Sequence, residues 1–187
     1  MIEDVIAENN NREGFFLTGT GITVNNAYSR NNKYGLKIGP QRNNKITLAG
    51  DISITNNEKG MITHDKAQGT VRVTGNLISN RNVVGIEPSS NNFTIAVGGG
   101  SYSGKSGKSG SGSLTACDNS QYDIDNKGPS TFEGSDYTCD TKVGTDLPVC
   151  KPCHPGCPSP SPSESAEFSR FQQMVDSSEA KDDDLDV

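Results

Sequence analysis

The amino-acid sequence predicts an all-β solenoid, a chain wound into coils of 21–25 residues with three short strands to a coil. Three observations carry this. Apolar–polar–apolar triplets recur at one spacing, and an asparagine-rich turn recurs in step with them. The composition also suits neither a helical chain nor one with a large core. Of 187 residues, 30% are hydrophobic and 6% aromatic, none is tryptophan, and 18 asparagines outnumber 8 alanines and 7 leucines. A helix bundle or doubly wound α/β chain would use those residues in the opposite ratio.

The elements follow in chain order. Val5-Ile6-Ala7 leads into a first turn, Asn10-Asn11-Arg12-Glu13-Gly14-Phe15, a copy of the repeat whose first strand is missing. The triplets Ile22-Thr23-Val24, Ile46-Thr47-Leu48, Val71-Arg72-Val73 and Phe93-Thr94-Ile95 then start 24, 25 and 22 residues apart. Such alternation is the signature of a strand with one buried face. A second apolar stretch follows three of them, at Ala27-Tyr28, Ile52-Ser53-Ile54 and Leu77-Ile78. Next comes a turn and a glycine-plus-apolar strand: Asn31 to Leu36, Asn56 to Met61, and Asn80 to Ile86. Counting from Gly14, the glycines fall 21, 25 and 25 residues apart.

One such coil cannot bury its apolar face alone, so coils must stack, with parallel strands ~4.8 Å apart and like residues above like. Stacking gives the turn asparagines a task. Asn10, Asn31, Asn56 and Asn80 are expected to form an inward ladder, each amide donating to one neighbouring coil and accepting from the other. Breaking one rung would strand hydrogen bonds at a cost of ~1–3 kcal/mol. The alternative, an antiparallel sandwich with asparagine-rich loops, rarely keeps one residue type at one phase through four units.

The repeat occupies residues 1–97. Residues 98–113 are almost entirely Gly, Ser and Lys, a flexible-loop composition. Alternation resumes at Leu114-Thr115-Ala116-Cys117, and residues 114–141 read as an irregular last coil. Residues 142–162 form a Cys/Pro-rich segment. Residues 163–187 hold eight acidic side chains against Arg170 and Lys181, so the net charge of −6 belongs to a solvated, largely disordered tail. The chain enters its first turn without an amphipathic cap, so upstream coils or a capping partner are expected at that end.

The pattern Ile-Thr-Val, Asn-Asn, Gly-Leu resembles the right-handed parallel β-helix repeat (the pectin lyase fold) of pectate-lyase-like proteins, over residues 1–97 and, less regularly, 114–140. That resemblance implies an extracellular, carbohydrate-facing protein: a lyase, hydrolase or epimerase, or a scaffold alone. It specifies a fold far better than an activity.

Several strings imitate chemical motifs. Gly99 to Ser106 matches the phosphate-binding string GxxxxGK[ST], but the continuation Gly107-Lys108-Ser109-Gly110 cannot open the helix that such a site needs. Cys150-Lys151-Pro152-Cys153-His154 matches CxxCH, and Cys157 adds a fourth zinc-type ligand. The Pro-rich flanks offer no apolar haem shell, and these ligands are too crowded for an easy tetrahedral site. Disulfides are the plainer reading. Cys117 and Cys139 are 22 residues apart, about one coil, and are expected to bridge; the connectivity of Cys150, Cys153 and Cys157 is open. Asn92-Phe93-Thr94 is the one N-glycosylation sequon. Clustered cysteines and the sequon point to a secreted chain.

No Lys/Arg cluster suggests a nucleic-acid groove, and no stretch approaches the ~18 apolar residues of a membrane span. A lyase would need carboxylates for calcium and a basic residue; Asp51, Asp65, Arg42, Lys37 and Arg72 are available without forming an Asp-rich cluster. Glu58 with Asp65 is the candidate glycosidase pair, and His64-Asp65 the candidate acid–base pair. The expectation is therefore a scaffold that binds an extracellular polysaccharide, with Tyr28 and Tyr34 for stacking and Lys33 and Lys37 for charge. It needs no cofactor or metal; calcium enters only under the lyase alternative.

Overall fold

The computed structural model describes residues 1–98, 112–128 and 130–153. The Gly/Ser/Lys string at 99–106, His154, Cys157 and the acidic tail lie outside them. The described chain is all β, winding through about five turns of a parallel solenoid. Its strands are β1 (Ile2–Glu8), β2 (Glu13–Leu17), β3 (Thr20–Arg30), β4 (Tyr34–Ile38), β5 (Asn44–Thr55), β6 (Lys59–Thr63), β7 (Gln68–Val73), β8 (Asn76–Asn80), β9 (Val84–Glu87) and β10 (Asn92–Val97). They continue as β11 (Ser113–Thr115), β12 (Tyr122–Asn126), β13 (Thr131–Glu133), β14 (Tyr137–Thr138) and β15 (Lys142–Gly144).

Two sheets result. One has nine strands; the other has six, in the order β15-β12-β9-β6-β4-β2. Every ladder is parallel, and each strand pairs with its equivalent one coil away. That excludes the antiparallel sandwich. The first two apolar stretches of a coil run on as one strand in β3 and β5, with a register irregularity between Asn25 and Ala27. There Asn26 and Gly50 take positive φ (54° and 63°). The bend lets one strand serve two sides of the solenoid.

The predicted columns form the interior. Ile22, Ile46, Val71, Ile95 and Phe132 lie in register, as do Ala27, Ile52, Leu77, Leu114 and Tyr137. On the six-stranded sheet Phe15, Leu36, Met61, Ile86 and Ile124 stack in the same way. Most of these side chains are fully buried, and each buried Ile or Leu contributes roughly 1.5–3 kcal/mol.

The amide ladder exists, with a shifted phase. Its buried members are Asn32, Asn57 and Asn82. Asn32 Oδ1 accepts from Asn10 N, Asn57 Oδ1 from Asn32 N, and Asn82 Oδ1 from Asn57 N, at 2.8–2.9 Å. Asn82 N in turn donates to Asn119 Oδ1 at 2.9 Å. Of the four residues expected, Asn10 takes part. Asn31 and Asn56 instead occupy the left-handed corner (φ 55° each), and Asn80 accepts from Cys117 N at 2.9 Å. An asparagine tolerates the left-handed region better than other non-glycine residues. Each Asn-Asn pair thus divides the work between a corner and a rung.

At the far end the ladder passes to a carboxylate. Asn119 Nδ2 donates to Asp123 Oδ1 at 2.8 Å, and Asp123 Oδ2 accepts from Asp140 N and Thr141 N at 2.9 Å. Beyond β15 the chain crosses the last coil as a strap. Leu147 packs on the core, Lys151 N donates to Tyr137 O (2.8 Å), and Lys151 O accepts from Cys139 N (3.0 Å). Two disulfides hold it, Cys117–Cys153 and Cys139–Cys150.

This pairing corrects the expected Cys117–Cys139 bridge. Thr115 is in register with Thr138, so the coil step here is 23 residues, the difference of those two numbers. Cys139 therefore falls one residue out of register with Cys117. Both lie just past the ends of β11 and β14 and both are buried, and the one-residue offset keeps them from facing each other across the coils. Each then meets a cysteine of the strap.

Candidate functional site

The four positions expected to form one binding face do not share one. Tyr28 lies on β3 in the nine-stranded sheet, 47% exposed, in register with Ile6 on one side and Ser53 on the other. Tyr34 and Lys37 lie on β4 in the six-stranded sheet, where Lys37 Nζ sits 5.0 Å above the Tyr34 ring. The Lys37 charge is already engaged, with Nζ 2.9 Å from Glu13 Oε1. That hydrogen bond holds the Glu13 carboxyl below the usual glutamate range. Lys33 belongs to the turn before β4, and its carbonyl accepts from Lys59 N at 3.0 Å.

The structure instead builds a cleft of about 380 Å³ at the corner where the six-stranded sheet gives way to the nine-stranded one. Its walls come from successive turns and the strand starts that follow them: Pro40 and Arg42 before β5, Asp65 and Lys66 before β7 with Gln68 at its start, and Ser90 and Asn91 before β10 with Asn92 at its start. Buried polar groups fix the inner side of this corner. Asn44 Nδ2 donates to the carbonyls of Gly39, Gln41 and Gln68 at 2.9–3.2 Å, and its Oδ1 accepts from Gly19 N at 2.9 Å. One coil further, Ser90 Oγ donates to Ala67 O, and Ser130 Oγ donates to Ser90 O at 2.6 Å. With the inner side zipped, Arg42, Asp65, Lys66, Asn91 and Asn92 are left exposed.

This corner collects part of the acid–base inventory and scatters the rest. Arg42 and Asp65 share the cleft, and His64 Nδ1 contacts Asp65 Oδ1. Asp51 lies away at the strand bend, accepting from Asn76 Nδ2 at 2.9 Å, and Arg72 is on β7. Glu58 and Asp65 flank opposite ends of β6, so extended backbone at ~3.3 Å per residue holds them some 20 Å apart, too far for a glycosidase pair. Among the described residues no group of three or more His, Cys, Asp or Glu is arranged to hold a metal ion. Cys150 and Cys153 are bonded to other cysteines and are not free as haem or zinc ligands.

A charge cluster that the sequence does not announce lies on the six-stranded sheet. Glu87 is buried at 4% exposure, with one oxygen 2.9 Å from Lys59 Nζ and the other 2.9 Å from Lys127 Nζ. The Lys127 pKa is raised chiefly by its hydrogen bond to Glu87. The cluster ties neighbouring coils together, with Glu87 buried beneath a half-exposed Lys127.

Fold and corner together define a parallel β-solenoid with a polar cleft running across its coils. No family model, no curated protein and no solved structure matches the chain. Among the described residues no helix is long and apolar enough to cross a membrane.

Proposed function

We propose that the chain is a secreted scaffold of the pectate-lyase-like kind whose corner cleft binds a carbohydrate polymer. The observation that carries this reading is the cleft itself. Guanidinium, ammonium, carboxylate and amide groups from successive coils line one open channel, repeated at the ~4.8 Å step of the solenoid. A polyhydroxylated chain presents donors and acceptors at regular intervals, and such a wall can match them in series. Two disulfides agree with an oxidising, extracellular setting.

The test is a titration of the folded chain with a panel of neutral and acidic polysaccharides. Arg42→Ala and Gln68→Ala are expected to weaken binding by about tenfold each, since a hydrogen bond to a charged or fixed donor contributes about 1.5 kcal/mol. Tyr28→Ala should leave binding unchanged. If Tyr28→Ala or Lys37→Ala abolished binding and Arg42→Ala did not, the site would belong to the sheet faces instead.

One observation favours a second reading. Asp65 lines the cleft with Arg42 and contacts His64 Nδ1 behind it, a carboxylate–imidazole pair of the kind a polysaccharide lyase, hydrolase or epimerase would use. Release of unsaturated or reducing ends from the same polysaccharides, lost in His64→Ala, would establish it; a polymer that is bound and left intact would remove it.

A further inference from the structure

We infer that Asn92 carries an N-linked glycan and that this glycan covers the Asn91–Asn92 side of the cleft, next to Lys66, leaving the Arg42 side open. The sequon Asn92-Phe93-Thr94 opens strand β10, and its alternation sets the geometry. Phe93 points into the core at 1% exposure, so Asn92 and Thr94 face outward together. Asn92 is exposed, and its side-chain amide makes no hydrogen bond among the described residues.

The rest of the sequence sharpens the assignment. Of 18 asparagines only this one has Ser or Thr two residues on with no proline between. The buried asparagines Asn32, Asn44, Asn57, Asn82 and Asn126 all lack the sequon. A sugar added to any of them before folding would forbid the coil to close. In a chain this rich in asparagine, the acceptor string falls at an outward position.

The transfer joins Asn92 Nδ2 to the anomeric carbon of an oligosaccharide and breaks that carbon's bond to a lipid diphosphate carrier. The diphosphate departs with the bonding pair, and the displaced amide proton goes to the transferase base. Because Asn92 lines one wall of the cleft beside Asn91, with Lys66 on the adjacent turn, the first sugars stand over that wall and shield Lys66. The modification does not depend on what the cleft binds.

The full chain, secreted from a eukaryotic host that performs N-glycosylation, provides the test. Intact mass before and after treatment with a peptide N-glycosidase should show one removable glycan. It should be absent in Asn92→Gln and Thr94→Ala and present in Thr94→Ser. A secreted, unmodified wild-type chain would overturn the assignment. Covering is read separately, by amine acetylation of Lys66 with the distant Lys151 as internal reference. Lys66 should react several-fold more slowly in the glycosylated chain than after deglycosylation, and equal rates would overturn the covering. Neither readout uses polysaccharide binding, so a failure here is distinct from a failure of the cleft as a binding site.

Discussion

Replacing Asn57 by alanine removes the middle rung of the ladder and leaves its neighbours in place. The Asn57 Oδ1 atom is the acceptor for Asn32 N (2.9 Å), and Nδ2 donates to Ser29 O (3.2 Å), Thr55 O (3.0 Å) and Asn82 Oδ1 (3.1 Å). Asn82 Oδ1 keeps a donor, Asn57 N, after the change. The stranded groups are then chiefly one buried N–H and one or two carbonyls. At about 1–3 kcal/mol for each buried group left unsatisfied, and with partial relaxation, the loss is about 2–5 kcal/mol. The neighbouring Asn56→Ala is the control. It removes no rung and costs only the left-handed corner, about 1–2 kcal/mol. Urea denaturation followed by far-UV circular dichroism measures both. In a linear array of coils, the Asn57 variant should also broaden or split the transition, because stability in such arrays is a sum of neighbour contacts. If Asn57→Ala fell within about 0.5 kcal/mol of wild type, or if Asn56→Ala were the worse of the two, the ladder would not hold the coils together.

Three further outcomes are expected. A side chain at Gly60 would meet Ser79 Oγ and Gly85 O and lie 2.9 Å from Asn82 Nδ2, so Gly60→Ala should destabilise by about 1–3 kcal/mol in the same assay, and a neutral result would contradict the packing. Non-reducing peptide mapping should recover Cys117 with Cys153 and Cys139 with Cys150; the closed loops span 36 and 11 residues, so removing either bond alone should cost about 3–4 kcal/mol in thermal or urea unfolding. Because Lys37 lowers the Glu13 pKa in the folded chain, that pair stabilises above the unfolded glutamate value and the contribution disappears as pH falls through the folded one. The stability difference between wild type and Glu13→Gln should therefore shrink between about pH 6 and about pH 3, and a difference that stayed constant would refute the coupling.

How much of this was legible in the sequence depends on the kind of signal. Apolar columns impose a period on the chain, and that period read correctly: Ile46 does lie between Ile22 and Val71, and Met61 between Leu36 and Ile86. Ladder phase was harder, because Asn31-Asn32 and Asn56-Asn57 offer two adjacent candidates. The third copy, Asn80-Arg81-Asn82, resolves them. Arg81 takes the left-handed corner there (φ 57°), so the rung must be Asn82. Asn32, Asn57 and Asn82 all stand three residues before a glycine, a signal present in the sequence. Asp123 gave no such signal, since it stands in register with Gly85 and serves by accepting hydrogen bonds across a coil boundary.

The cleft was invisible for a different reason. Arg42, Asp65, Lys66 and Asn91 lie in turns, where no periodicity marks which side chains converge. Only the coil-to-coil register brings position 42 beside position 68 and both beside position 92. Tyr28 and Tyr34 were conspicuous as aromatic residues, yet the five positions of strand and turn between them carry the chain from one sheet to the other.

The strap over the last coil has a consequence for how copies of this chain can meet. A bare rim of parallel strands is a template, since its unspent amides and carbonyls will accept a matching strand from any neighbour. At this end Lys151 has already answered Tyr137 and Cys139, and two covalent bonds keep it from being displaced. Addition of a foreign strand beside Tyr137 and Thr138 is thereby blocked while the disulfides hold, whereas β13 and β15 keep an unpaired outer edge among the described residues, so any such growth is steered to those two sides.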